Sequence, residues 1–369
     1  MVDNPAALTD SRLASCHRVV LGVVSLSVWA AVTLAAGQTD RKVTKLAEGV
    51  YEIQHRDALD GFAGGNTTVI IGKRQVLVVD TGFLPSDARE DIAQIRQWTD
   101  KPISFVVTTH FHNDHNLGNR AYMDAFPGVT IIGHVETKKD MDLFGPGSEG
   151  REARATEAYQ RMLDRGTTGD GTALTDADKV ELKNILARRK SVLGELKAMT
   201  FQTATLTFEH DFTLDLGDQE VRILFRGRGN TAGDAIVYLP RERIVIAGDL
   251  VVHPVPYFYD GYPREWIHTI EGLAQLDAGI IVPGHGPIMR DKSHLYLVRD
   301  LIESAVTQMN EALRKMGPAM FRSLDQVKGS VDLTPFRSRF AGNEKDLGAA
   351  FDGAAEALVN LVFREASIR

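Results

Sequence analysis

The chain has 369 residues, 43 % of them apolar and 25 % charged, enough for one large hydrophobic core or two modest ones. Its formal net charge is −7 and it contains no Lys/Arg-rich block, which excludes nucleic acid as a partner, because phosphate recognition needs a concentrated basic surface. One cysteine, Cys16, excludes an internal disulfide framework, and if the N-terminal segment is removed no thiol nucleophile remains.

At the N-terminus, Arg12, His17 and Arg18 precede an uncharged run from Val19 to Ala36, followed by the small residues Ala35-Ala36-Gly37. This order is that of an export signal. The 18-residue run is also near the minimum for a membrane span, so residues 1–37 read as a signal peptide or an N-terminal membrane anchor. Either reading places the protein outside the cytoplasm, periplasmic or secreted, with no other membrane association.

Strands are expected at Thr67–Ile71 and Gln75–Asp80, with Gly72-Lys-Arg between them. Pro85 opens an amphipathic helix to Trp98, with Ser86 or Asp87 as its cap. An apolar run from Ile103 to Thr109 leads into His110-Phe-His112-Asn-Asp114-His115, and a helix is expected over Asn116–Ala125. Three imidazoles and a carboxylate in six positions are the ligands that borderline divalent metals such as zinc prefer. In an extended His110-Phe111-His112 the two rings would share one side.

Residues 136–199 carry 24 charged side chains in 64 positions. Thr175-Asp-Ala-Asp178 has the form of a capped start, and Leu182, Ile185, Leu186, Leu193 and Leu196 mark one face of the helix that follows. A helical insertion is expected there, serving as a solvated scaffold, a lid or a dimer arm. Further strands are expected at Val129–Ile132, Phe212–Leu216, Val221–Phe225 and Ala235–Leu239, and a helix over Pro263–Leu276. Asp249 ends Arg243-Ile-Val-Ile-Ala-Gly-Asp249, and His285 follows Ile280-Ile-Val-Pro-Gly. Both sit where α/β proteins place their sites, at the C-terminal ends of strands.

Substrate signals are sparse. Gly61-Phe62-Ala-Gly-Gly65 reads as a mobile flap presenting Phe62, or as a plain hairpin loop. The run Val251-Val-His253-Pro-Val-Pro-Tyr257-Phe-Tyr259 supplies Tyr257 and Tyr259 as a pocket wall for an apolar or ring-containing small molecule, with His253 available to orient it. A cluster covering the sheet edge is the alternative. Residues 291–369 are expected to be helical and to pack on the core.

The segments His110–His115, Gly229-Asn-Thr-Ala-Gly-Asp234, Ala247-Gly-Asp249 and Pro283-Gly-His285-Gly286, with Val78-Val-Asp80-Thr-Gly82 upstream, resemble the metallo-β-lactamase superfamily in content and order. The resemblance implies an α/β fold: an αββα sandwich of two mixed sheets flanked by helices over residues 38–290, with residues 136–199 as a helical insertion and residues 291–369 as a helical C-terminal extension. It implies that His110 and His112 serve one metal, that Asp114, His115 and His285 serve the other, and that Asp249 bridges them. It implies one or two zinc ions per chain, with iron or manganese left open. The family usually carries His where this chain has Asn230, as the third nitrogen on the first metal. A neutral amide oxygen is a weaker zinc donor than imidazole, so that site is either weakly filled or empty.

The activity implied is that of a hydrolase in which a metal-bound hydroxide opens an amide or ester carbonyl, β-lactam-like or lactone, with Asp114 taking the proton. Two alternatives stand beside it: an iron-dependent sulfur dioxygenase-like enzyme, and a non-catalytic protein holding a single metal. Oligomeric state has no signature in the sequence.

Overall fold

The computed structural model describes residues 41–56, 64–169, 171–316 and 323–367. The N-terminal segment and Phe62 lie outside the described residues.

Two mixed sheets pack face to face. The first runs in chain order: β1 (Lys42–Ala47), β2 (Val50–Gln54), β3 (Thr67–Ile71), β4 (Val76–Val79), β5 (Ile103–Val107), β6 (Thr130–His134) and β7 (Leu206–Phe208). Its first four strands pair antiparallel and the remaining pairs are parallel. The second sheet has the order β12 (Ile280–Pro283), β11 (Ile244–Gly248), β10 (Ala235–Leu239), β9 (Glu220–Phe225) and β8 (Phe212–Asp215). Its β11–β12 pair is parallel and the others antiparallel.

The period-2 alternation of strands explains the layering. Leu77, Val79 and Val107 of the first sheet meet Ile223, Val237 and Ile246 of the second in a central core. Their chain neighbours Val76, Val78 and Val106 face outward onto Ala88 and Ile95 of α1 (Pro85–Trp98) and Tyr122 of α3 (Asn119–Ala125). On the far side, Ile236, Val245 and Ile281 face α7 (Pro263–Ala274), α8 (Ser293–Lys315) and α11 (Lys345–Ser367). The central strands of both sheets are thus buried on both faces, which is the expected αββα sandwich. The helical C-terminal extension, which also holds α9 (Leu324–Lys328) and α10 (Thr334–Ala341), shares the outer core of the second sheet.

The segment between β6 and β7 is helical, as expected: α4 (Val135–Phe144), α5 (Ser148–Arg165) and α6 (Asp176–Ala198). The capping box at Thr175 and Asp178 is present. The apolar face of α6 is buried at Leu182, Ile185, Leu186, Val192 and Leu196, while Leu193 is half-buried. Val192 and Leu196 pack on Leu117, just after the histidine-rich run.

Two local expectations need correction. The N-cap of α1 is Leu84, not Ser86 or Asp87, because Pro85 takes the first helical position, where a missing N–H costs nothing. Ser86 instead donates its N–H and its Oγ–H to the Glu195 carboxylate of α6, at 3.0 and 2.9 Å, so the insertion supplies the acceptor. The helix expected over Asn116–Ala125 is two: α2 (Asn113–Asn116) and α3, interrupted at Gly118. A side chain at Gly118 would collide with the Thr81 carbonyl and with Ala88, so the chain turns there against the strand-end loop of β4. Among the described residues, no helix is long and apolar enough to cross a membrane.

Candidate metal centre

The polar residues that end β4, β5, β11 and β12 converge at one edge of the sandwich. Asp80 follows β4 in the left-handed region (φ 58°), and its carboxylate accepts the Thr109 N–H and Thr109 Oγ–H, both at 2.7 Å. Its Oδ2 lies 2.9 Å from His115 Nδ1, which turns the opposite ring nitrogen inward. Thr109 Oγ1 is 3.0 Å from His110 Nδ1 and does the same for that ring. Asn66, before β3, donates from Nδ2 to the carbonyls of Pro283 and Gly286, at 3.0 and 2.8 Å, and so holds the loop that carries His285.

Six of the expected residues meet here. His115 Nε2 and His285 Nε2 are 3.1 Å apart, and His285 Nε2 is 3.1 Å from Asp114 Oδ2. Asp249 lies between two groups of donors. Its Oδ1 is 3.3 Å from His115 Nε2 and 3.4 Å from His285 Nε2, while its Oδ2 is 3.7 Å from His110 Nε2. A Cβ at Gly284 would overlap Asp249 Oδ1, so glycine is required there. His110, His115 and Asp249 form one group whose donor atoms all lie within 4.8 Å of one another; Asp114, His115 and His285 form another. His112 stands to one side, its Nδ1 3.0 Å from His110 Nε2.

These residues fit a divalent cation. The donors are imidazole and carboxylate. Asp249 is 5 % exposed with its carboxylate turned toward His110, His115 and His285, and a buried carboxylate is costly unless positive charge compensates it. Burial alone would disfavour a charged His285, yet Asp249 and Asp114 outweigh it and raise this group to about 10. Burial likewise opposes a charged His115, and the carboxylates of Asp249, Asp114 and Asp80 lift it well above its ordinary value. The cluster therefore attracts positive charge. Burial and the neighbouring His115 push His110 well below its usual range, which keeps it in the neutral form that ligates.

Asn230 is fully buried beside this cluster, its Nδ2 3.4 Å from His112 Nδ1 and its Oδ1 without a hydrogen-bond partner. The turn that carries it is held by Asp234, whose Oδ2 accepts from the N–H groups of Gly229 and Thr231 at 3.1 and 2.8 Å. Burial pushes the Asp234 carboxyl up to about 7 against those bonds.

The sequence profile of the metallo-beta-lactamase superfamily matches residues 60–285, which contain this entire constellation. The chain belongs to that superfamily. It is similar to a linear primary-alkylsulfatase of Pseudomonas sp. (strain ATCC 19151), 28 % identical over 281 residues, covering 70 % of this chain and 48 % of that protein. The chain thus spans about half the length of the alkylsulfatase. It is also similar to a metallo-beta-lactamase type 2 of Bacillus cereus, 23 % identical over 244 residues, covering 64 % of this chain and 73 % of that one. Among solved structures, the metallo-beta-lactamase FIM-1 of Pseudomonas aeruginosa in its mono-zinc form superposes with a TM-score of 0.51 at 17 % identity, covering 73 % of this chain and 98 % of that one. A metallo-beta-lactamase from Pontibacter korlensis gives 0.50 at 22 %, covering 72 % and 99 %. These likenesses establish a shared fold.

The candidate substrate residues are placed unevenly around the superfamily centre. Tyr257 stacks edge-on to His285 with ring centres 5.1 Å apart, and Tyr259 lies 5.9 Å further along and is half exposed. His253 reaches the centre through its backbone, donating its N–H to the His285 carbonyl, while its ring packs against His294.

Several residues with evident roles are not marked as site residues by sequence motifs alone. Asp80 sits in the strand-end Asp-Thr-Gly, but its hold on His115 emerges only in three dimensions. Asp260, 3.8 Å from His112 Nε2, lies in the aromatic run and carries no separate signal. Asn113, within the histidine-rich run, accepts from Ser148 and Arg151 of α5 at 3.1 and 3.3 Å, so the insertion touches the metal motif directly. Replacing Asp80 with asparagine is expected to weaken metal retention about 10–100-fold, the scale for losing a ligand's outer partner. Chelator competition checks this; unchanged retention would remove Asp80 from the centre.

Proposed function

We propose that this chain is a metal-dependent hydrolase that opens an amide or ester carbonyl, of the β-lactam-like or lactone kind, in a small-molecule substrate. The observation that carries the reading is the convergence of two donor groups on Asp249, with Asp114 at the mouth. We assign His110, His112, Asp114, His115, Asp249 and His285 as the residues that would hold zinc, with Asp249 as the carboxylate common to both donor groups. A divalent cation bound there supplies an activated water and a Lewis acid.

The chain's own residues do the rest. Asp114 keeps 34 % of its side-chain exposure, so it faces both the donors and the entering substrate. It accepts the proton released when water attacks and passes it towards the leaving group. Asp80 and Thr109 fix the ring orientations of His115 and His110, which spares reorganisation during the reaction. Tyr257 and Tyr259 wall the His285 side with aromatic surface suited to an apolar or ring-bearing group. The basic, apolar and small residues of the N-terminus support action outside the cytoplasm.

A second reading, hydrolysis of a sulfate ester, is favoured by the similarity to an alkylsulfatase over 70 % of this chain. A panel of a β-lactam, a lactone, an aryl ester and an alkyl sulfate, assayed on zinc-loaded protein, separates the two. Turnover of the lactam, lactone or ester is the expected result. Turnover of the sulfate alone would favour the second reading, and turnover of none would overturn both.

A further inference from the structure

The two sides of the centre differ in the strength of their donors and in what supports them. The Asp114–His115–His285 side combines an anionic oxygen with two imidazoles, and His115 is braced by buried Asp80 at 2.9 Å. The other side offers His110, His112 and the neutral amide of Asn230. There His112 is faced by Asp260 only at 3.8 Å, and that carboxylate is 55 % exposed and shared with Arg364 of α11. A distant, solvated carboxylate orients an imidazole less firmly than a buried one in contact. Asn230 nonetheless points at the site. It is fully buried, its Oδ1 has no partner, and the Asp234 hydrogen bonds fix its turn.

We infer that the two sides load unequally: the Asp114–His115–His285 side takes metal first and tightly, and the His110–His112–Asn230 side takes it second and weakly, so the protein carries one ion when metal is limiting. Asn230 sets this asymmetry, because its amide, whose Nδ2 lies 3.4 Å from His112 Nδ1, offers at best a neutral oxygen where an imidazole nitrogen would raise the affinity. The inference rests on the metal centre proposed above but not on which bond is hydrolysed.

The test titrates the metal-free full chain with Zn²⁺ against a chromophoric chelator, with no substrate present. Wild type should show one tight step and a second at least about tenfold weaker, or too weak to register. Asn230→His should tighten or reveal the second step by about 10–100-fold and leave the first in place. Asp80→Asn should weaken the first step more than the second, since Asp80 touches His115 directly and His110 only through Thr109, which keeps the test decisive if Asn230→His does not fold. Two steps of equal affinity in wild type would overturn the inference. So would an Asn230→His protein that shifts the tight step or neither, or an Asp80→Asn protein that weakens the second step more than the first. Failure of the hydrolase reading would show only in the substrate panel and would leave these affinities as they are.

Discussion

Replacing Asp249 with alanine is expected to strip metal from both donor groups and to abolish hydrolysis. This carboxylate is 5 % exposed and presents Oδ1 to His115 and His285 and Oδ2 to His110. Its loss removes an anionic ligand from each side at once and leaves Asp114 as the remaining carboxylate facing the inward ring nitrogens of His115 and His285. Loss of an outer partner alone costs about 10–100-fold in metal affinity or activity, so loss of a shared ligand should exceed that range. Elemental analysis after desalting, with folding checked by circular dichroism, reads the result. An Asp249→Ala protein that keeps as much metal as wild type would show that the residue is not a shared ligand.

A comparable effect on stability is expected at Trp266, away from the donors. Trp266 lies in α7 at 1 % exposure, packs against Phe258, and donates its indole N–H to the Leu250 carbonyl at 3.1 Å. Leu250 directly follows Asp249. A Cβ at Gly229, next to Asn230, would come within 3.2 Å of the Trp266 ring, so the indole also floors the turn that aims Asn230. Trp266→Ala should therefore cost about 3–5 kcal/mol, the range for deleting a large buried aromatic, and should loosen the weaker metal side as well. Trp266→Phe should lose less, since it keeps most of the buried area and gives up the hydrogen bond. Denaturant unfolding with and without zinc measures both. A loss below about 1 kcal/mol for the alanine variant would mean that the site edge does not depend on this packing.

The ligand chemistry was legible because it is concentrated. The run from His110 to His115 holds four donors in six residues, and Asp249 and His285 each end an apolar strand-like run. The strands that form the central layers could be read as well, because Leu77 and Val79 alternate with Val76 and Val78 between inner and outer cores. The edge strand β1 announces itself poorly, since its residues are exposed or half-buried without strict alternation. The single helix suggested after Asn116 was wrong because periodicity cannot register that Gly118 must pass close to Thr81 and Ala88.

By itself, then, the sequence determined the donor types, the alternation that buries both faces of the central strands, and the charged helical segment after β6. These depend on residue identity and on local period, which the chain carries wherever it folds. The tertiary structure alone decided which candidate donors lie within reach of one another, that Asp80 braces His115 from 35 residues away, and that Glu195 and Asn113 tie the insertion to α1 and to the metal motif. It also decided that Asn230, 118 residues from His112, lies beside it with a buried oxygen unpaired. Such pairings depend on how two sheets stack and where their strand ends converge, and that is a property of the packed sandwich, absent from any window of its sequence.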